Sequence, residues 1–149
     1  MANIVFNIAL GRLAYYASLP ATNDALIMVP LEASGLVADS TMRDYDDLST
    51  LLAGATNEQT SNMTRKTLTS VTVTVDDTND RVAIDSADVT WTAATGNAIG
   101  AVVICYDPDT TTGTDSDLIP LTKHDVSMTP DGSDFTLTVA DIVRSSSAA

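Results

Sequence analysis

Side chains able to do acid chemistry crowd into two short stretches of this sequence. The first is "CYDPDTTTGTDSDLIPL", Cys105 to Leu121, where Asp107, Asp109, Asp115 and Asp117 flank a threonine run around Gly113. The second is "DDTND", Asp76 to Asp80. A helix–loop–helix calcium loop needs D-x-D-x-D-G and a closing glutamate. In "DPDTTTGTDSDL" the first two aspartates are in register, but Thr111 takes the third place, Gly113 comes one position late and no glutamate closes the loop. Asp-Pro, Thr-Gly and Ser-Asp are ordinary turn chemistry between strands. The loop is therefore expected to be a hydrated turn, with no essential ion site on its four aspartates. A calcium geometry built on backbone oxygens stays open from spacing alone.

The remaining chemistry is thinner. Glycoside hydrolysis needs two acids facing each other across a cleft, which a run such as "DDTND" does not by itself provide. His124 is the only histidine and sits in "KHD". Strand neighbours point to opposite faces, so Lys123, His124 and Asp125 do not make a triad. Cys105 is alone, which excludes an intrachain disulfide and a multi-cysteine zinc site. Inside "AIGAVVICYD" it is expected to be a buried, inert thiol. No Gly-rich phosphate loop, G-x-S-x-G or H-E-x-x-H occurs. The residues assign no catalytic group, no metal site and no cofactor; the protein is expected not to be an enzyme.

The elements that would carry these loops are mostly strands. Ile4, Phe6 and Ile8 alternate with Asn3 and Asn7, as in a half-buried strand. "GRLAYYASLP" reads as continuing the extended chain. "ALIMVPLEASG" is a second strand, with Pro30 marking an edge position or a bulge. "DSTMRDYDDLSTLLAG" is the one convincing helix, capped at Ser40 or Thr41 and ended by Gly54. Ala55 to Thr64 reads as an exposed connection. Val71, Val73 and Val75 point inward from the next strand; "DTND" turns it into "RVAID", and "DVTWTA" follows. "AIGAVVICYD" is apolar on both parities, as in a central strand covered on both sides. "LIPLTKHDVSM" and "DFTLTVADIV", joined by the turn signal "TPDG", read as a hairpin. The expected fold is mainly β: a β-sandwich or barrel-like domain of about seven or eight short strands with one short helix. It takes residues 1–149 as one domain, with a flexible tail at 144–149.

Composition agrees and excludes several functions. The chain has 149 residues, 18 Asp against 2 Glu, and 22 Thr against 2 Lys. Aspartate favours turns and threonine favours strands. A net charge of −13 repels a phosphate backbone, so no direct nucleic-acid partner is expected. No run approaches the length of a membrane helix, and "MANIVFNIALGR" lacks the basic start of a signal peptide. A protein used without export, with no membrane partner, is expected.

In order along the chain stand "FNIALGR", "LIMVPLEASG", "DYDDLSTLLAGATNEQT", "TRKTLT", "DDTNDR", "VTWTAATGNAIGAVVICYDPDTTTGTDSDLIPLTKHD" and "DFTLTVADIVRSS". Together they resemble a family of small virion structural proteins of tailed bacteriophages, most like head decoration (cement, or minor capsid) proteins. The resemblance spans nearly the whole chain, and its motifs are fold-like rather than catalytic. It implies a β-rich subunit grouped as a homotrimer, bound to the major capsid protein on the capsid exterior and present in the host cytoplasm before assembly. A tail or baseplate component is the alternative, and a glycan-active enzyme ranks below both. The residues expected to bind partners are Ile4, Phe6 and Ile8 in segment 2–10, an inter-subunit arm, together with Tyr15 and Tyr16. The competing expectation is that Ile4, Phe6 and Ile8 pack in the chain's own core. With −13 per copy, association is expected to strengthen as salt screens the repulsion.

Overall fold

The segment that is apolar on both parities becomes the middle of the molecule. In a computed structural model, which describes residues 2–54 and 56–146, Ile99–Asp107 forms strand β7. It lies at the centre of a five-stranded antiparallel sheet, between β2 (Ala25–Glu32) and β8 (Ile119–Met128). The edges of this sheet are β1 (Ile4–Val5) beside β8 and β3 (Lys66–Thr67) beside β2. Both faces of β7 are covered because its two parities enter different cores. Val102, Ile104 and Tyr106 pack with Leu26, Met28, Trp91 and Ile84. Ala101, Val103 and Cys105 pack with Phe6, Val29, Leu31, Leu48 and Leu51.

The first face is roofed by two smaller sheets. One has the order β10 (Val143–Ser146), β5 (Arg81–Asp85), β4 (Thr72–Asp76); the other pairs β6 (Val89–Trp91) with β9 (Phe135–Leu137). Helix α1 (Leu13–Ser18) joins this side through Tyr16 and Ala17. The second face is covered by the opening residues, α2 (Asp39–Met42) and α3 (Leu48–Ala53). Among the described residues the strands number ten, in three sheets that do not close into a barrel. The barrel-like alternative and the count of seven or eight strands are corrected accordingly.

Other expectations change for local reasons. The single helix expected from Ser40 or Thr41 to Gly54 is two. The chain turns at Asp44 and Tyr45, whose amides bond Thr41 O and Met42 O. Asp47, at φ −144° and ψ 160°, then starts a new helix and accepts a 2.8 Å bond from Thr50 N. Gly54 ends it where a Cβ would lie 2.1 Å from the Tyr45 hydroxyl, so the ring occupies the space a side chain would need. "LAYYAS", expected to be extended, is α1. Strand β1 stops at Val5, and Asn7–Ala9 is a 3₁₀ turn. The "TPDG" turn does not close a hairpin, because β9 pairs with β6 while β8 stays in the central sheet.

Pro30 is not at an edge: it pairs with Val102. Its carbonyl accepts from Gln59 N on the other side, so its missing N–H faces the segment at 57–59 rather than β7. The register slip falls one residue later, between Leu31 and Glu32. Of the connection expected at 55–64, Ala55 lies outside the described residues and 56–64 is not simply exposed. Thr56, Gln59 and Met63 are buried, Gln59 Nε2 bonds Asn97 O at 3.0 Å, and the Trp91 indole bonds Thr64 O at 2.8 Å. Of the tail expected at 144–149, residues up to Ser146 belong to β10 and 147–149 lie outside the described residues.

Candidate interaction surface

The aspartate loop between β7 and β8 is held by its own backbone and threonines. Asp109 accepts bonds from the amides and hydroxyls of both Thr111 and Thr112. Those bonds, led by the Thr111 hydroxyl, hold its carboxyl well below the usual carboxylate range. Asp117 accepts from Thr114 N and Oγ1, both at 2.9 Å, which lowers its pKa as well. Asp107 Oδ1 takes the amide of Asp109 at 3.0 Å. Gly113 closes the turn through its amide on Asp109 O; a Cβ there would lie 2.5 Å from that oxygen.

Asp115 leaves the loop to meet Arg65. That guanidinium makes two bonds to Asp115 and two to Glu58, tying the 56–65 segment to the loop. Arg65 depresses the pKa of Asp115 by direct hydrogen bonding. The second acidic run is similar in kind: Asp76 accepts from Asn79 N, Asn79 Nδ2 and Arg81 Nε across the β4–β5 turn. Among the described residues no three His, Cys, Asp or Glu side chains converge as an ion site.

In "KHD" the alternation separates the side chains. A bulge in the β7–β8 pairing, between Ile104 and Cys105, sends Leu121 to the first core and Lys123 to the helix side. Lys123 is fully buried. It bonds Asp39 Oδ1 at 2.9 Å, Ala2 O at 3.0 Å and Asp125, so one ammonium joins α2, β8 and the start of the chain. Asp39 also takes Ala2 N at 2.7 Å, and that bond, then Lys123, lowers its pKa. Sequence reasoning passed over this hub; its signal is a lysine inside an apolar strand with an aspartate two residues on.

His124 points to the opposite face, 3.0 Å from Thr122 Oγ1, and burial lowers its pKa. It lines a cavity of about 110 Å³ between β8 and the chain at 137–142. Asp125 and Asp141 also line that cavity, but they are ion-paired with Lys123 and Arg144. Each carboxylate is thus held by a nearby cation, Asp125 by Lys123 two residues before it and Asp141 by Arg144 three residues after it.

The five residues expected to bind partners are placed unequally. Phe6 is fully buried among Val29, Met42, Leu48 and Leu51, so it packs in the chain's own core. Ile4 and Ile8 are partly buried against the same cluster. Tyr16 is 8% exposed, with its ring centroid 5.4 Å from that of Tyr106. Tyr15 is 60% exposed and meets Tyr16 edge-on. Leu10, at the end of the expected arm 2–10, and Val75, expected to point inward, match it in exposure at 60% and 67%. Val75 does share the face of the half-buried Val73, but it projects beyond the edge of the core instead of into it. No protein-family model, no curated protein and no solved structure matches this chain.

Proposed function

We propose that this chain is a non-enzymatic structural protein of a tailed-phage virion, which binds the outside of the capsid lattice as a decoration or cement subunit. Its partners in this proposal are the major capsid protein and two further copies of itself. The observation that carries the non-enzymatic part is the construction of the acidic loops. Asp109, Asp117 and Asp76 are bound up in their own turns, and Asp115 in an ion pair with Arg65. Carboxylates held in this way form a stiff, solvated, anionic coat rather than a pair poised to exchange protons. The placement on a phage head comes from the resemblance in sequence.

A subunit repeated over a lattice needs only modest contacts, because many attachments act together. Tyr15, exposed on α1, is the part of the expected contact set best placed to supply one. Cryo-electron microscopy of the parent virion tests the proposal. Density for this fold on the outer face of the head is expected; density in the tail or baseplate would move the protein to that role, and absence from the particle would overturn both.

A further inference from the structure

Among the described residues the large apolar side chains more than half exposed are Leu10, Tyr15 and Val75. Leu10 lies just before α1 in sequence and Tyr15 on it, and α1 packs against β4 and β5, the hairpin that carries Val75. Two shallow hollows run together there. One, of about 190 Å³, is walled by Leu13, Ala14, Val82 and Ser145; the other, of about 400 Å³, by Val75, Asp77, Asp80, Val82 and Ser145. Val82 and Ser145 are common to both. Strand β4 is also an edge of its sheet, β10 being the other. Exposed apolar surface beside an open edge marks a contact site in a protein that must otherwise avoid aggregation.

The charges around this face select the occupant. Arg12, at the start of α1, is exposed, and its side chain makes no hydrogen bond or ion pair among the described residues. Asp77 and Asp80, at the β4–β5 turn, are likewise exposed and unpaired there. A uniformly basic partner would repel Arg12, and a uniformly acidic one would meet Asp77 and Asp80. A surface carrying both signs, separated by an apolar seam, is complemented by another copy of itself.

We propose that the α1/β4 face is where one copy of this chain binds another, with Arg12 of one copy opposite the Asp77–Asp80 turn of the next. This rests on the self-association in the proposed function and names the surface responsible. Sedimentation velocity over a concentration series tests it, at a moderate salt concentration that weakens the long-range repulsion of the −13 charge while leaving contact ion pairs in force. The samples are wild type, Arg12→Glu, Asp77→Lys/Asp80→Lys and an equimolar mixture of the two variants, with circular dichroism confirming the fold of each. Wild type should associate, each variant should associate about tenfold more weakly or worse, and the mixture should regain affinity because the swapped charges face each other. A monomeric wild type, variants that associate like wild type, or a mixture no tighter than its components would overturn the inference. Co-sedimentation with capsids separates the two proposals. A wild type that stays monomeric yet binds capsids sinks only this inference; one that associates but is absent from the particle sinks only the virion role.

Discussion

Replacing Lys123 by methionine keeps most of the side-chain volume and removes only the charge and its three hydrogen-bond partners. The ammonium is fully buried, and its loss leaves Asp39, Asp125 and the Ala2 carbonyl facing an apolar thioether. Removing one partner of a fully buried ion pair costs about 3–5 kcal/mol. Here the carboxylates keep some contact with water, at 18% and 32% side-chain exposure. The expected cost is therefore lower, about 2–3 kcal/mol. For a chain of this length that lowers the melting temperature by roughly 4–12 °C. Thermal unfolding followed by circular dichroism, with urea titrations to check two-state behaviour, measures it. Adding Asp39→Asn should restore part of the loss, since the uncompensated charge is then gone. A Lys123→Met protein that melts with wild type, or an added Asp39→Asn that costs as much as it does alone, would refute the idea that this ammonium holds the start of the chain in place.

Phe6→Ala should cost about 3–5 kcal/mol in chemical denaturation, whereas Tyr15→Ala should stay within about 0.5 kcal/mol; equal effects would contradict their opposite burial. Acidification should destabilise the protein in two stages. His124 has a folded pKa below its unfolded value, so its contribution is full above about pH 6.5 and is lost as pH falls through the folded value. Asp24, Asp39, Asp76, Asp109, Asp115, Asp117 and Asp131 are depressed too, so theirs is lost further into acid, below about pH 4. His124→Gln should flatten the upper stage of a melting-temperature series and leave the lower one. Dialysis against EDTA should leave the melting temperature unchanged; a fall of several degrees would show that the aspartate loop needs an ion after all.

The strands whose faces differ sharply in polarity, or not at all, were the legible ones. Strand β7 announced itself by apolar residues on both parities, and the β4–β5 hairpin by alternation around "DTND". The errors arose where a tertiary contact overrode a local pattern. Ile4, Phe6 and Ile8 keep strand periodicity in sequence, but Phe6 enters the helix-side core and the chain turns at Asn7. The "LAYYAS" helix carries no cap signal, since Arg12 caps without a side-chain bond. Strand β9 could not be assigned to β6 from sequence, because partner choice across 46 residues depends on contacts such as Thr90 with Thr136 and the stacking of Trp91 on Phe135. The acidic loop was legible as turns, but Arg65 reaching Asp115 across 50 residues was not. The β4 side of the α1/β4 face was not legible because an exposed valine on an inward parity looks the same as a buried one.

The pairing of β1 with β8 has a consequence for how the chain acquires its shape during synthesis. Val5 lies opposite Thr122, and the Lys123 ammonium bonds a carbonyl 121 residues earlier. The edge of the central sheet and the pocket for Phe6 therefore cannot be completed until most of the chain has left the ribosome. Until then the opening segment has only the part of its native surroundings that β2, α2 and α3 supply, and β7 must wait for β8 to cover its second flank. Folding that depends on such distant pairings is slow and exposes sticky intermediates. The nascent chain is thus a natural client for chaperones, and a truncation after β7 should accumulate as insoluble material rather than as a smaller folded unit.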